Sequence, residues 1–169
     1  MDGARAPLVS LSSTQAIVQI PWDISVGALP IAIAASGVLT NTVIPAAVEA
    51  VPDILAVVHA DGSLVNGQEP ARPGEIVTVY ATGLGAVDTT IASGAAAPAQ
   101  PLARTTGAPL VEIASQPAEI LFSGLSPGFV GLYQVNILIP GDVVPSGSVT
   151  LSFGLDGSSA SRAIPLGPM

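Results

Sequence analysis

Residues 133–137 alternate between apolar and polar positions and form the clearest strand pattern in the sequence. Tyr133, Val135 and Ile137 fall on one face, and the two amide side chains between them fall on the other, because successive strand residues point to opposite faces. Pro140 ends the run because it has no N–H group to give to a neighbouring strand. The pattern predicts a half-buried strand over residues 132–139, with Ile139 also on the apolar face.

Short apolar runs separated by Gly, Pro and Ser predict strands along the rest of the chain, and β-branched residues argue against helices. Only residues 45–51 have a composition that would hold a helical turn. Residues 75–82 are apolar on both faces, which predicts a strand buried between two layers. Asp156 and Gly157 predict a tight hairpin turn. The other predicted strands are residues 6–10, 14–20, 29–35, 38–44, 54–59, 110–114, 118–122, 148–153 and 159–165, with 110–114 and 118–122 forming a hairpin.

Residues 91–109 consist mainly of Ala, Gly, Pro, Thr and Ser. Such a composition buries too little apolar area to make a core of its own. We expect a long surface loop with polyproline character that carries at most one edge strand.

An internal repeat is the most informative feature of the sequence. Residues 15–21 match residues 134–140 without a gap, and beyond them the register slips by one. Gly27 then matches Gly147, Gly37 matches Gly157, and the Ile-Pro pair at 44–45 matches the pair at 164–165. Turns and strand ends recur together, which indicates a duplicated unit rather than two similar strands.

The repeat divides the chain into an incomplete first β-sandwich unit (1–50), a connector (51–66) and a complete sandwich (67–169). The second copy has strands before its repeated segment, from residue 74 onward, and the first has almost none. Half a sandwich exposes an apolar face and open strand edges. Three arrangements would cover it: the rest of this chain, strands from another chain, or further residues of a longer precursor. The absence of Lys, which discourages edge pairing, favours strands from another chain.

Composition excludes several classes of function. Hydrophobic residues make up 49% of the 169 residues and aromatic residues only 4%, so the core must consist of Val, Ile, Leu and Ala. A net charge of −8 with no Lys argues against nucleic-acid binding and against docking on anionic lipid. No apolar run approaches the roughly 18 residues of a membrane-spanning helix. With no Cys, disulfides and thiolate chemistry are excluded, and no signal peptide is visible, which suggests a processed or partial chain.

Two longer runs, residues 73–85 and 127–136, together resemble the uncharacterised C-terminal domain family of secreted proteins in Solibacter-like Acidobacteria. The segment from Asp61 to Gly74 is similar to the connector of that family, and the similarity covers nearly the whole chain. The resemblance implies an immunoglobulin-like β-sandwich on an exported bacterial protein. It brings no catalytic or binding residues. The incomplete first repeat is the departure from the family pattern.

Few residues offer chemistry. His59 is the only histidine, and with only Asp61 nearby it is a weak candidate for a base or a metal ligand. The Asp-Gly-Ser sequences at 61–63 and 156–158 offer one oxygen each, whereas calcium takes roughly six to eight. Turn formation explains them better. No paired acid and base, nucleophile elbow or phosphate loop is present, so we expect no enzymatic activity and no cofactor.

Three residues are candidate ligand-binding positions: Trp22, Gln134 and Asn136. An exposed Trp22 at a strand end would stack on a sugar ring, although a Trp that caps the end of the sandwich fits the same position. Gln134 and Asn136 would bind a ligand or tie down nearby loop backbone.

The sequence thus predicts an all-β, immunoglobulin-like sandwich protein with one full and one half unit. We expect a non-enzymatic structural or adhesive protein, secreted or at the surface of a bacterial cell. It would self-associate by strand pairing into an oligomer or a fibre. The alternative is a carbohydrate-binding module that recognises glycans through Trp22 and polar loop groups.

Overall fold

The computed structural model describes residues 4–35 and 38–168, and within these ranges every regular element is a strand. It contains no helix that is long and apolar enough to cross a membrane within those ranges. Six strands precede residue 50, and eight follow it. The strands are β1 (Leu8–Leu11), β2 (Ala16–Val18), β3 (Gly27–Ala28), β4 (Ala34–Ala35), β5 (Val38–Leu39), β6 (Ala46–Ala47), β7 (Asp53–Val58), β8 (Ile76–Thr82), β9 (Leu110–Ile113), β10 (Gln116–Pro117), β11 (Glu119–Leu125), β12 (Tyr133–Leu138), β13 (Gly147–Leu155) and β14 (Ser158–Leu166).

The later strands form two antiparallel sheets of four strands, in the orders β10-β9-β13-β14 and β11-β12-β8-β7. Buried side chains of both sheets belong to one apolar cluster, so the arrangement fits a β-sandwich. Val79 and Val135 come from one sheet, and Ile113, Leu151 and Phe153 from the other. The prediction of an all-β protein is confirmed. The core is mostly aliphatic, as expected, but the aromatic side chains of Phe153 and Tyr133 are also buried in it.

Strands β8 and β12 show how the alternating pattern selects the buried face. In β12 the side chains of Tyr133, Val135 and Ile137 are buried, and Gln134 and Asn136 lie on the outer face, as predicted. The prediction that β8 is buried on both faces was wrong. Val77 and Val79 are buried in the core, but Ile76 is 48% exposed, and Thr78 and Tyr80 on the same face are only partly buried.

The tight turn predicted at Asp156 and Gly157 is formed. Asp156 and Gly157 both have positive φ, at 48° and 81°, and join β13 to β14 with Leu155 opposite Ser158. This is the two-residue turn that an Asp-Gly pair favours.

The predicted hairpin at 110–114 and 118–122 is present only in its first part. After β10 the chain crosses to the other sheet, where β11 pairs with β12.

Strand β7 lies inside residues 51–66, the segment predicted as a connector. It pairs with β8 and becomes the edge strand of its sheet. Arg162 on β14 donates hydrogen bonds from Nη1 to the carbonyl oxygens of Ile54 and Leu55, at 3.0 and 2.7 Å. This guanidinium therefore joins the two sheets along one border of the sandwich. The strand expected at 54–59 is present.

The segment 91–109 contains no strand but is held against the sandwich at several points. Ala97 and Ala103 are buried, and isolated bridges join Ala97 to Pro127 and Arg104 to Gly124. A Cβ added to Gly124 would lie 2.2 Å from the carbonyl oxygen of Ala103, so this loop and β11 are in close backbone contact. The surface loop expected from composition is therefore an anchored loop.

The first fifty residues form three ladders of two strands each: β1–β2, β3–β6 and β4–β5. They fall within or near the predicted strands, but most are only two or three residues long. The possible helical turn at residues 45–51 is not formed; β6 in this segment is extended and pairs with β3. No apolar side chain before Ala50 is among the buried residues of the described chain.

Residues 83–85 are in close contact with residues 49–51, which lead from the first fifty residues into the sandwich. We expect Gly83→Ala to lower the free energy of unfolding by about 2 kcal/mol or more. The backbone at Gly83 has a φ of +73°, and a Cβ there would lie 1.8 Å from the carbonyl oxygen of Val51. Urea denaturation measures this loss. Gly141→Ala is the control, because its Cβ would meet no atom within 4 Å; equal stability of the two variants would contradict the close contact.

Candidate interaction surface

The first fifty-one residues present most of the large apolar side chains that the described chain exposes. We call this set the amino-terminal apolar surface. Its members are half exposed or more in many cases, as with Leu11 at 69% and Leu39 at 71%. Exposure of many large apolar side chains in one part of a chain is typical of interaction sites on soluble proteins. The surface consists of Leu8, Val9, Leu11, Ile17, Val18, Ile20, Trp22, Val26, Ile33, Val38, Leu39, Val43, Ile44, Val48 and Val51.

This surface carries almost no charge. Between Asp23 and Glu49 the sequence has no ionisable side chain, although the whole chain carries a net charge of −8. Electrostatic repulsion between two copies is therefore weakest where these residues face one another. Charged side chains, the usual protection of an open strand edge, are absent from this stretch.

Residues 27–35 and residues 38–47 form the two arms of a long hairpin. The first arm contains β3 and β4 and the second contains β5 and β6. Leu29 donates to the carbonyl oxygen of Pro45 at 2.8 Å, and Ile31 and Val43 exchange two backbone hydrogen bonds at 2.7 and 2.9 Å. Nearer the tip, the Thr40 N–H donates to the carbonyl oxygen of Ile33 at 2.8 Å. The odd-numbered residues of the first arm therefore face the second arm.

Two hydrogen bonds connect the segment that follows β2 to the loop at residues 91–109. The Oε1 atom of Gln19 accepts a hydrogen bond from the Gly94 N–H at 2.6 Å, and the Trp22 N–H donates to Ser93 Oγ at 3.0 Å. Gln19 is only 9% exposed, which is unusual for an amide side chain. Sequence reasoning missed this role, because it considered Gln19 only as part of the repeated segment 15–21. Its partner, Gly94, lies 75 residues away.

Trp22 lines a cleft of about 980 Å³ between the first fifty residues and the end of the sandwich. Ile20 and Ile24 contribute to one side, and Leu84 and Tyr133 contribute to the other. The Trp22 side chain remains 37% exposed, so it lines the cleft without being enclosed. Burial raises the pKa of Tyr133 to about 12, and its hydroxyl donates to the carbonyl oxygen of Gly85.

Gln134 and Asn136 lie on the outer face of the β12 sheet, on the opposite side of the strand from Tyr133. The Asn136 Oδ1 atom accepts hydrogen bonds from Thr78 Oγ1 and Gln134 Nε2, each at 3.1 Å. The two amides therefore belong to a cross-strand polar network. The structure does not bring them together with Trp22, so the three candidate ligand-binding residues do not form one site.

His59 directly follows β7 and pairs with an acid that the sequence did not suggest. Its Nδ1 atom lies 2.5 Å from Glu75 Oε1, and its Nε2 atom lies 3.2 Å from the carbonyl oxygen of Glu69. The other Glu75 oxygen accepts a hydrogen bond from the Arg72 N–H at 2.9 Å. The hydrogen bond with Glu75 raises the pKa of His59. This arrangement fixes the loop between β7 and β8.

The two Asp-Gly-Ser segments occur in turns. Asp61 Oδ1 accepts hydrogen bonds from the Ser63 N–H and the Ser63 hydroxyl at 2.9 and 2.8 Å, and the backbone N–H bond lowers the pKa of this carboxyl. Asp156 occupies the β13–β14 turn. In residues 4–35 and 38–168, no group of three acidic or histidine side chains is close enough to hold a metal ion.

The chain matches no known protein-family model, no curated protein and no solved structure. The resemblance to the acidobacterial family therefore stays a prediction from the sequence. The function proposed below is therefore inferred from the exposed apolar residues and the open strand edges.

We expect the His59–Glu75 pair to make stability depend on pH near neutrality. Because the pKa of His59 is raised in the folded state, its contribution is complete below the unfolded value of about 6.5 and decreases as pH rises through the folded pKa. Denaturant titrations between pH 5 and 9 measure this decrease.

His59→Gln provides the control, since His59 is the only histidine and the chain has no cysteine. The variant should lose most of the pH dependence and be less stable than the parent at low pH. An unchanged slope in the variant would show that another group is responsible.

Proposed function

We propose that this protein is a non-enzymatic structural or adhesive protein outside a bacterial cell, which self-associates through its first fifty residues. Strand pairing between copies would join it into an oligomer or a fibre. The observation that carries the proposal is the difference between the two parts of the chain. The apolar side chains of the sandwich are largely buried, whereas the buried apolar residues of the described chain begin only at Ala50.

The small ladders of the first fifty residues give an energetic reason for association. A two-stranded hairpin is marginally stable in water, and three or more strands with a covered apolar face are needed for independent stability. Each ladder before residue 50 has only two strands. Pairing with a second copy would add strands to these two-stranded sheets. It would also remove the amino-terminal apolar surface from water, which is favourable in proportion to the area buried.

An immunoglobulin-like fold with an internal repeat is the finer architecture that we propose. The first hairpin has Ala34 opposite Leu39 and Ala35 opposite Val38, and the second has Leu155 opposite Ser158. These pairs lie at positions that the sequence repeat aligns, and the predicted match of Gly37 with Gly157 lies outside the described residues. Support for the incomplete copy comes from the sheet orders, since β13 lies between β9 and β14 while β3 and β4 have one neighbour each.

The non-enzymatic part of the proposal is supported by the state of His59. Both ring nitrogens already have partners, Glu75 and the carbonyl oxygen of Glu69. A general base needs a nitrogen within reach of a substrate proton. The extracellular location is supported by the resemblance to secreted domains described above.

We expect the purified chain to associate in a concentration-dependent manner, and Val38→Glu to weaken that association. Val38 is 69% exposed on β5, so the substitution should not disturb the monomer, but it places negative charge on the amino-terminal apolar surface. Sedimentation velocity over a range of concentrations measures the effect.

Val144→Glu is the matched control. Val144 is 77% exposed on the sandwich, and the substitution changes the net charge equally. It should leave association unchanged. A parent chain that remains monomeric at high concentration would contradict the proposed function.

A carbohydrate-binding module is the second candidate, favoured by the partly exposed Trp22 in the cleft. An aromatic ring in such a position can stack on the apolar face of a sugar. For this function we expect binding on a glycan array that is lost in Trp22→Ala. Gln134→Ala should retain binding, because Gln134 lies on the outer face of the β12 sheet; equal losses in both variants would argue against a site at the cleft.

A further inference from the structure

The first arm of the long hairpin, residues 27–35, has one paired edge and one open edge. Leu29, Ile31 and Ile33 direct backbone groups toward the second arm. Because the hydrogen-bonding groups of successive strand residues point to opposite edges, the even-numbered residues direct theirs outward. In the part of the chain that the structure describes, no further strand pairs along this outer edge.

Pro30 and two alanines determine where the open edge can accept a partner. Pro30 belongs to the outward-facing set, where its missing N–H removes no bond of the hairpin. Ala32 and Ala34 follow it, and each has an N–H and a carbonyl oxygen pointing outward by the same alternation. The stretch from Ala32 to Ala34 is therefore the part of the edge that can form a regular ladder.

The complete sandwich shows what occupies the corresponding edge. On β13 this edge is covered by antiparallel β9, with Leu151 opposite Ile113 and Gly154 opposite Leu110. The proposed repeat aligns Ile31 with Leu151 and residue 34 with Gly154. An antiparallel strand at residues 31–34 would therefore fill the place that β9 fills in the second copy.

Charge and symmetry favour a second copy of this chain as the source of that strand. No ionisable residue lies between Asp23 and Glu49, so two acidic molecules can approach here with little repulsion. The edge is also self-complementary. When two copies run antiparallel, Ala32 of one stands opposite Ala34 of the other, and both have outward-facing groups.

We propose that two copies join through this edge around a two-fold axis at Ile33. Each Ala32–Ala34 pair exchanges two backbone hydrogen bonds, and the two Ile33 side chains lie next to each other at the centre. This assignment rests on the proposed function and adds to it the identity, direction and register of the paired strands. In the dimer this edge is paired in both copies, so the contact is closed and no third copy can add to it. A fibre would have to grow through other edges.

A single cysteine tests the register directly, since the natural chain has none. At a non-hydrogen-bonded antiparallel pair the Cα atoms are about 4.5 Å apart, within the roughly 4.4–6.8 Å that a disulfide spans. Ile33→Cys should therefore give a disulfide-linked dimer under mild oxidation in dilute solution. Val38→Cys, which is also exposed but lies on the second arm, should remain mostly monomeric on a non-reducing gel.

Ala32→Pro provides a second test. It removes the outward N–H of Ala32 and leaves the hairpin bonds of Ile31 and Ile33 in place. Two hydrogen bonds per dimer are lost, so we expect the dissociation constant to rise roughly tenfold or more in sedimentation measurements. Ala32→Ser, which keeps the N–H group, should associate like the parent, and circular dichroism checks that each variant is folded.

The outcomes separate this edge from self-association in general. If the parent associates but Ile33→Cys gives no more cross-link than Val38→Cys, the assigned edge is wrong and the proposed function stands. A parent that never associates overturns both. If Ala32→Pro disrupts the hairpin itself, the cross-linking pair of variants decides alone. A specific cross-link at position 33, together with weaker association of Ala32→Pro, supports the dimer.

Discussion

The sandwich depends on one constraint, that alternate side chains of antiparallel strands must be enclosed between two sheets. Val79 and Val135 on one sheet and Leu151 and Phe153 on the other are almost completely buried in a single cluster. Because strand side chains alternate with a period of two, this enclosure also determines which residues face outward. The two sheets are also connected at the borders of the sandwich. The chain crosses from one sheet to the other after β10, and Arg162 on β14 donates a hydrogen bond to β7 at the edge of the other sheet.

The first fifty residues consist of the same residue types without this enclosure. Their Val, Ile, Leu and Ala form hydrogen-bonded ladders, yet large side chains such as Leu11 and Leu39 stay exposed. Local pairing alone forms the hairpins, and what is missing is a second layer and a third strand. This difference within one chain is the physical basis for proposing association, because it identifies both the surface to be covered and the edge that lacks a neighbour.

Polar contacts between distant residues hold the loops and the two parts of the chain in place. Gln19 accepts from Gly94, His59 pairs with Glu75, and the Asn136 amide connects neighbouring strands. Each satisfies buried or half-buried groups that would otherwise be costly. Among them, His59 and Asn136 were candidate functional residues in the sequence, and the geometry gives both of them structural hydrogen bonds. A ring nitrogen or an amide that already has partners offers little to a ligand.

The sequence by itself determined the features that depend on neighbouring residues. The alternation around Val135 selected the buried face of β12, and the Asp156–Gly157 pair specified its hairpin turn through positive φ. Only the tertiary structure decided which strands pair and which apolar faces are covered. In the structure, β11 belongs to a different sheet from β9 and β10, and one face of β8 is partly exposed. Trp22 and Gln134 lie at different places. The reason is physical: side-chain periodicity and turn geometry are local, whereas the choice of a strand's neighbour depends on residues far away in the chain.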